Sequence, residues 1–273
     1  MSKNNRVLIR GGGDLASGVA IRLHRAGIRV LIAELPHPLA VRRAVSFSDA
    51  VYDGEHSVEG VVARLIGPDQ IPAWDDAEAI PVIIDPDASI LKSYKFPVLV
   101  DARLLKQPPE PLHSPVLLHI GLGPGFHAGT DCHAVIETRR SHTLGRVFWS
   151  GGTQPDSGQP EGDPRRVLRA PIDGLITGVK KIGEHCKEGE VIAGITSDTN
   201  LHVEIYSPFA GVLRGLMRNG THVPKGLKIG DVDARNDASA CFLVSDKSLA
   251  IGGGTLEAIL TRPEIREIIF ADG

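Results

Sequence analysis

Apolar and polar positions along this chain change their period several times. Val7, Leu8 and Ile9 form a short apolar run, the pattern of a buried parallel strand. Ala16, Val19, Ala20 and Leu23 then recur at helical spacing, Gly27 stands where a helix would be capped, and Val30, Leu31 and Ile32 make a second run ending on Glu34. Ala50 to Tyr52 reads as a short strand, and Val58, Val61, Val62 and Leu65 predict a helix over 56–66. Two more apolar runs end on acids, Ile80 to Ile84 at Asp85 and Pro97 to Val100 at Asp101. Val116 to Ile120 and Cys241 to Val244 read as strands, and Gly252, Gly253 and Gly254 as a turn into a helix over 255–260. Strands alternating with short helices predict an α/β, parallel, doubly wound sheet.

The first turn carries the most specific chemistry. Gly11, Gly13 and Ala16 follow the strand in the order G-x-G-x-x-A, with Gly12 and Asp14 between them. Such a Rossmann-like turn brings backbone N–H groups and a helix N-terminus to a pyrophosphate, and an acid about 20 residues on holds a ribose hydroxyl. Glu34 is that acid. In such sheets ligands bind beyond the carboxyl ends of the strands, so Asp85, Asp101 and Arg103 are expected to border the same crevice. Gly252, Gly253 and Gly254 are expected to face it from the end of the chain, and Arg42 and Arg43 to reach a phosphate.

The stretch from His119 to Val147 is the most unusual in composition. Gly121, Gly123, Gly125 and Gly129 predict a loop that presents backbone N–H groups to a ligand. His119, His127, Cys132, His133 and His142 gather there with Asp131 and Glu137. No clean metal-ligand spacing is present, so no metal site is expected. Cys132 lies between an acid and His133, a setting for a histidine-activated thiolate. Cys132 and His133 are therefore the expected catalytic pair.

The second half repeats itself. Pro171, Gly174, Gly178, Gly183, Gly189 and Ile192 each recur 37 residues later, at Pro208, Gly211, Gly215, Gly220, Gly226 and Ile229. Matching turns in one register predict two similar short-stranded halves. These residues resemble the biotinyl/lipoyl barrel-sandwich family, in which a modified lysine sits on the hairpin between halves. Asn200 stands at that position and no lysine lies between Lys187 and Pro208, so neither biotin nor lipoate is expected. The expected domains are 1–150, Rossmann-like and nucleotide-binding; 151–165, a linker; 166–235, the barrel-sandwich hybrid; and 236–273, a segment returning to the first domain.

Composition narrows the partners. A formal net charge of −3 and 4% aromatic residues argue against nucleic acid. Three cysteines without a CxxC pair argue against a disulfide framework. No apolar run is long enough for a membrane span, and the first residues lack a signal-peptide pattern. A cytoplasmic protein is expected, with no membrane partner.

Three stretches, IRGGGDLASGVAIRL, GLGPGFHAGTDCHAVIETRRSHTLGRV and AIGGGTLEAIL, together resemble the accessory proteins of the selenium-dependent molybdenum hydroxylase system (the YqeB type). That resemblance implies maturation of hydroxylases of the xanthine dehydrogenase kind, with the apoenzyme or cofactor-maturation proteins as partners. It implies a dinucleotide cofactor, molybdopterin dinucleotide or NAD(P), on the first glycine turn. Two alternatives stand beside it: an NAD(P)-binding oxidoreductase using His127 or His133 as proton donor, and a scaffold that docks a partner through the barrel-sandwich domain.

Overall fold

Val7, Leu8 and Ile9 are wholly buried in the middle of a wide sheet, because both faces of that sheet are covered. The computed structural model describes residues 5–74, 78–112, 114–159 and 162–271. Part of the expected connector 107–115 (His113) and of the expected linker 151–165 (residues 160 and 161) lies outside them. The chain divides into two compact units, the first comprising Met1–Pro38, Ser46–Asp156 and Val244–Gly273, the second Leu39–Val45 and Ser157–Leu243.

The strands of the first unit are β1 (Val7–Arg10), β2 (Val30–Glu34), β3 (Glu55–Val58), β4 (Val61–Leu65), β5 (Ala79–Ile84), β6 (Val98–Asp101), β7 (Leu118–Leu122), β8 (His127–Ala128), β9 (Ala134–Ile136), β10 (Val147–Phe148) and β11 (Gly151–Gly152). Its helices are α1 (Asp14–Arg25), α2 (Ala50–Asp53), α3 (Asp246–Leu260) and α4 (Pro263–Ile269). The main sheet runs β10-β9-β7-β6-β1-β2-β5-β4-β3. Its inner pairs are parallel, whereas β10 on β9 and β3 on β4 are antiparallel. β8 and β11 form a separate two-stranded ribbon.

This is not the doubly wound Rossmann-like domain expected. Among the described residues only β1 and β2 are joined by a full crossover helix, α1. The β5–β6 connection carries one short 3₁₀ turn, Ser89–Lys92, and α2 has four residues. One face of the sheet is therefore covered by turns and loops: Leu8, Leu31, Ile83 and Leu99 pack on Ile71, Ile90, Leu91 and Phe96. The other face takes α1 and α3, which comes from far along the chain and packs on α1, β7, β9 and β10. The expected helix over 56–66 is the β3–β4 hairpin. Its valines suit either period over so short a run, and Gly60 at φ +81° supplies the reversal.

The expected strand at Cys241–Val244 is instead a 3₁₀ turn (Ser239–Cys241) followed by irregular chain, and Gly252–Gly254 lie inside α3. Glycine in a helix interior costs about 1 kcal/mol relative to alanine. Close packing requires it here: a Cβ on Gly18 would stand 2.6 Å from that of Ser248, one on Gly252 would stand 2.8 Å from the Gly18 carbonyl oxygen, and one on Gly254 would overlap that of Gly145. Among the described residues no helix is long and apolar enough to cross a membrane.

The second unit contains β12 (Val167–Arg169), β13 (Gly174–Gly178), β14 (His185–Cys186), β15 (Val191–Thr196), β16 (His202–Tyr206), β17 (Gly211–Leu216), β18 (His222–Val223) and β19 (Lys228–Asp233). They form two antiparallel four-stranded sheets, β12-β19-β17-β14 and β16-β15-β13-β18. The 37-residue repeat is visible in the strand bounds: β13, β14 and β15 begin 37 residues before β17, β18 and β19. Ile176, Ile192, Ile195, Leu213, Val223 and Ile229 share one core. The expected barrel-sandwich hybrid is corrected to this description, a pair of extra antiparallel sheets in a chain whose large sheet is mostly parallel. Asn200, at the position of a modified lysine, is a left-handed turn residue at φ +62°.

Candidate functional site

The first glycine turn is folded on itself. Gly11 takes φ +97° and donates its N–H to the Ala33 carbonyl at 2.8 Å. Gly12 donates its N–H to Glu34 Oε2 at 2.6 Å, and its carbonyl accepts from Ser48 N–H at 2.8 Å and Ser17 Oγ at 3.1 Å. The other Glu34 oxygen, Oε1, accepts from Leu35 N–H at 2.7 Å. The acid expected to hold a ribose is thus a buried internal brace, and it takes an N–H that a pyrophosphate would need. Burial pushes the Glu34 carboxyl pKa up, against the lowering by these two N–H donors. Gly13 is the N-cap of α1 with open space around it, Asp14 Oδ1 accepts from Leu15 N–H at 2.9 Å, and Ala16 is buried.

The expected crevice acids are also engaged. Asp85 caps the 3₁₀ turn that follows it, accepting from Ser89 N–H, Ser89 Oγ and Ile90 N–H at 2.7–2.9 Å. Fully buried Asp101 holds Arg103 through Nε at 2.9 Å and a terminal nitrogen at 2.6 Å. Glu110 bridges Arg10 at 2.5 Å and Arg103 at 2.8 Å, and its pKa is lowered to about 2: burial opposes the shift, while hydrogen bonds, those of the two arginines included, outweigh it. Arg42 and Arg43 do not reach a phosphate site; they donate to the carbonyls of Leu243 and Leu216. Gly252, Gly253 and Gly254 sit inside a helix, with Gly252 packed against Gly18 and Gly254 against Gly145.

The glycines of the middle loop serve close packing. A Cβ on Gly121 would enter the Phe126 ring, and one on Gly125 would strike the Leu105 carbonyl. Gly123, at φ +88°, donates its N–H to the Ile136 carbonyl at 3.1 Å. The loop nevertheless brings part of the histidine cluster together. His119, Asp131, Cys132 and His133 line one cleft of about 660 Å³, with Thr130, Trp149 and Arg262. His127, Glu137 and His142 are not among its lining residues. Glu137 is spent on the N–H groups of Arg139 and Gln154.

The cleft has a defined polarity. His119 is buried on β7 and its Nε2 has no hydrogen-bond partner among the described residues. Burial lowers its pKa, partly offset by the charge of Asp101 and a hydrogen bond to the Asp131 backbone. When Nδ1 holds the proton of the neutral ring, the unpaired Nε2 offers a lone pair to a ligand donor. His133 Nδ1 accepts the His119 N–H at 2.9 Å. Cys132 is not the expected thiolate: burial pushes its pKa to about 11, so it stays protonated at neutral pH. The Arg262 guanidinium lies over the Trp149 ring at 4.9 Å, with Glu264 at 3.8 Å. Neither Trp149 nor Arg262 is legible as a site residue in the sequence, since only the fold brings them beside His119.

Elsewhere in the first unit, Asp49, Asp53 and His56 bring potential ligand atoms within 4.8 Å of one another. The expected helix over 56–66 concealed this grouping.

No protein-family model matches the chain. It is 45% identical over 271 residues to the uncharacterized protein YqeB of Escherichia coli (strain K12), an alignment covering 95% of this chain and 48% of that one. The chain thus spans about half the length of that relative. Among solved structures, an aspartoacylase family protein from Mesorhizobium loti aligns with a TM-score of 0.29 and 12% identity, covering 83% of this chain and 84% of that one. A succinylglutamate desuccinylase from Silicibacter aligns with a TM-score of 0.26 and 14% identity, over 83% and 84%. At these TM-scores neither likeness carries an activity to this chain. The expected maturation function, its oxidoreductase alternative and the dinucleotide cofactor all placed a dinucleotide on the first glycine turn, and they are corrected on the geometry of that turn. The physical reason is the Glu34 brace across the glycine turn.

Proposed function

We propose that this chain binds a compact organic anion in the His119 cleft, with His119 as a neutral hydrogen-bond acceptor for the ligand. The observation that carries this reading is the unpaired, buried Nε2 of His119 in a residue lining the cleft. Buried polar groups are almost always hydrogen-bonded, and a ligand O–H or N–H supplies the missing donor. Arg262, stacked on Trp149, is the cation that favours a carboxylate or phosphate over a neutral compound. His133 contributes a second polar contact through Nε2, because its Nδ1 accepts a hydrogen bond within the protein. The protonated Cys132 thiol adds a small, weakly polar wall. The 45% identity to YqeB makes that protein the natural second case to examine.

The test is histidine side-chain NMR with a panel of small carboxylates, phosphates and neutral amides. Anionic members should move the His119 Nε2 resonance, and Arg262→Gln should weaken them by roughly tenfold, the loss of one charge-assisted contact. Neutral and anionic compounds acting alike, or none acting, would overturn the proposal.

A further inference from the structure

Asp49 ends a 3₁₀ turn (Phe47–Asp49), Asp53 ends α2, and His56 is the second residue of β3. Residues four apart on a helical turn face the same way, which puts the two aspartates side by side. Gly54 at φ +78° then turns the chain so that His56 returns beside them. One ligand atom from each of the three lies within 4.8 Å of the others. The Nε2 of His56 is buried and has no hydrogen-bond partner among the described residues. Asp49 is almost fully buried, whereas Asp53 is exposed. These residues share none with the His119 cleft.

We infer that Asp49, Asp53 and His56 bind a divalent transition-metal cation, Zn²⁺ being the ion to test. The donor set is two carboxylate oxygens and one imidazole nitrogen. Imidazole suits zinc and its neighbours, whereas calcium and magnesium take all-oxygen sets. Both aspartates make other contacts in the structure. A carboxylate has two oxygens and about four lone-pair sites, so it serves those contacts and a metal together. Three protein ligands leave a fourth position on a tetrahedral ion for water or another molecule.

The test is zinc titration of the full chain, with metal content measured after gel filtration. One zinc per chain should be retained, and His56→Gln and Asp53→Asn should each weaken it by roughly 100-fold, at or beyond the upper end for losing a mere outer-shell contact. His142→Gln, an exposed histidine outside the group, should leave retention unchanged. Circular dichroism reports folding; if His56→Gln unfolds, the exposed Asp53→Asn decides alone. No retained zinc, or equal retention in Asp53→Asn and the unaltered chain, would overturn the site.

Discussion

The backbone N–H of His119 donates to Nδ1 of His133 at 2.9 Å, and the N–H of His133 donates back to the His119 carbonyl at 2.9 Å. Two neighbouring parallel segments thus hold one imidazole by a bond that only its deprotonated Nδ1 can accept. His133 is therefore expected to carry its ring proton on Nε2 rather than on Nδ1. Nitrogen-15 NMR of the side chain distinguishes the two tautomers directly, and an Nδ1–H signal would contradict the geometry.

His119 titrates below its ordinary 6.5 because burial disfavours the charged ring. The sign follows from proton uptake. Below pH 6.5 the unfolded chain binds this proton while the folded chain does not, so stability falls as pH drops from 6.5 toward the folded value. Above 6.5 the contribution is constant. Urea midpoints measured from pH 8 to pH 5 should therefore fall less in His119→Asn than in the unaltered chain; parallel curves would refute the assignment.

Removing the Glu34 brace should destabilise the first unit. Glu34→Ala strands the Gly12 N–H, a loss of about 1–3 kcal/mol for a buried donor without a partner. Glu34→Gln keeps an acceptor oxygen and should lose less. Denaturant midpoints of the two variants give the comparison.

The three glycines of α3 should respond differently to alanine. Nothing lies within 4 Å of the place a Cβ would occupy on Gly253, so Gly253→Ala should stabilise by about 0.4–1 kcal/mol. Gly254→Ala drives a methyl into the Gly145 carbonyl, and should cost about 1–3 kcal/mol, as overpacking does. Thermal melts that move the same way for both would contradict the packing described.

What the sequence made legible was local. The runs at Val7–Ile9 and Val98–Val100 are strands, and the period of Ala16 to Leu23 is a helix, because burial imposes those patterns directly. The 37-residue spacing reappears in the strand bounds because turns need glycine at fixed places. Val58, Val61, Val62 and Leu65 misled because four apolar positions over so short a run satisfy a hairpin as well as a helix. Gly252–Gly254 misled because a triplet of glycines serves a turn or a close helix contact equally well. Glu34 misled most: its position marks an acid facing the glycine turn, yet position alone does not distinguish binding a ligand from bonding the turn itself. His119 was visible as part of a cluster, but its partners Trp149 and Arg262 are assembled only by tertiary contacts.

Of the two helices that cover one side of the main sheet, α3, the one over β7, β9 and β10, is encoded after the whole second unit. During synthesis the ribosome therefore releases the strands long before their cover, at about 5–20 residues per second. For several seconds Ile120 and Ile136 belong to a nascent sheet whose lid has not yet been translated. A chain halted before Val244 should be captured by chaperones or aggregate, while one completed through α4 should not.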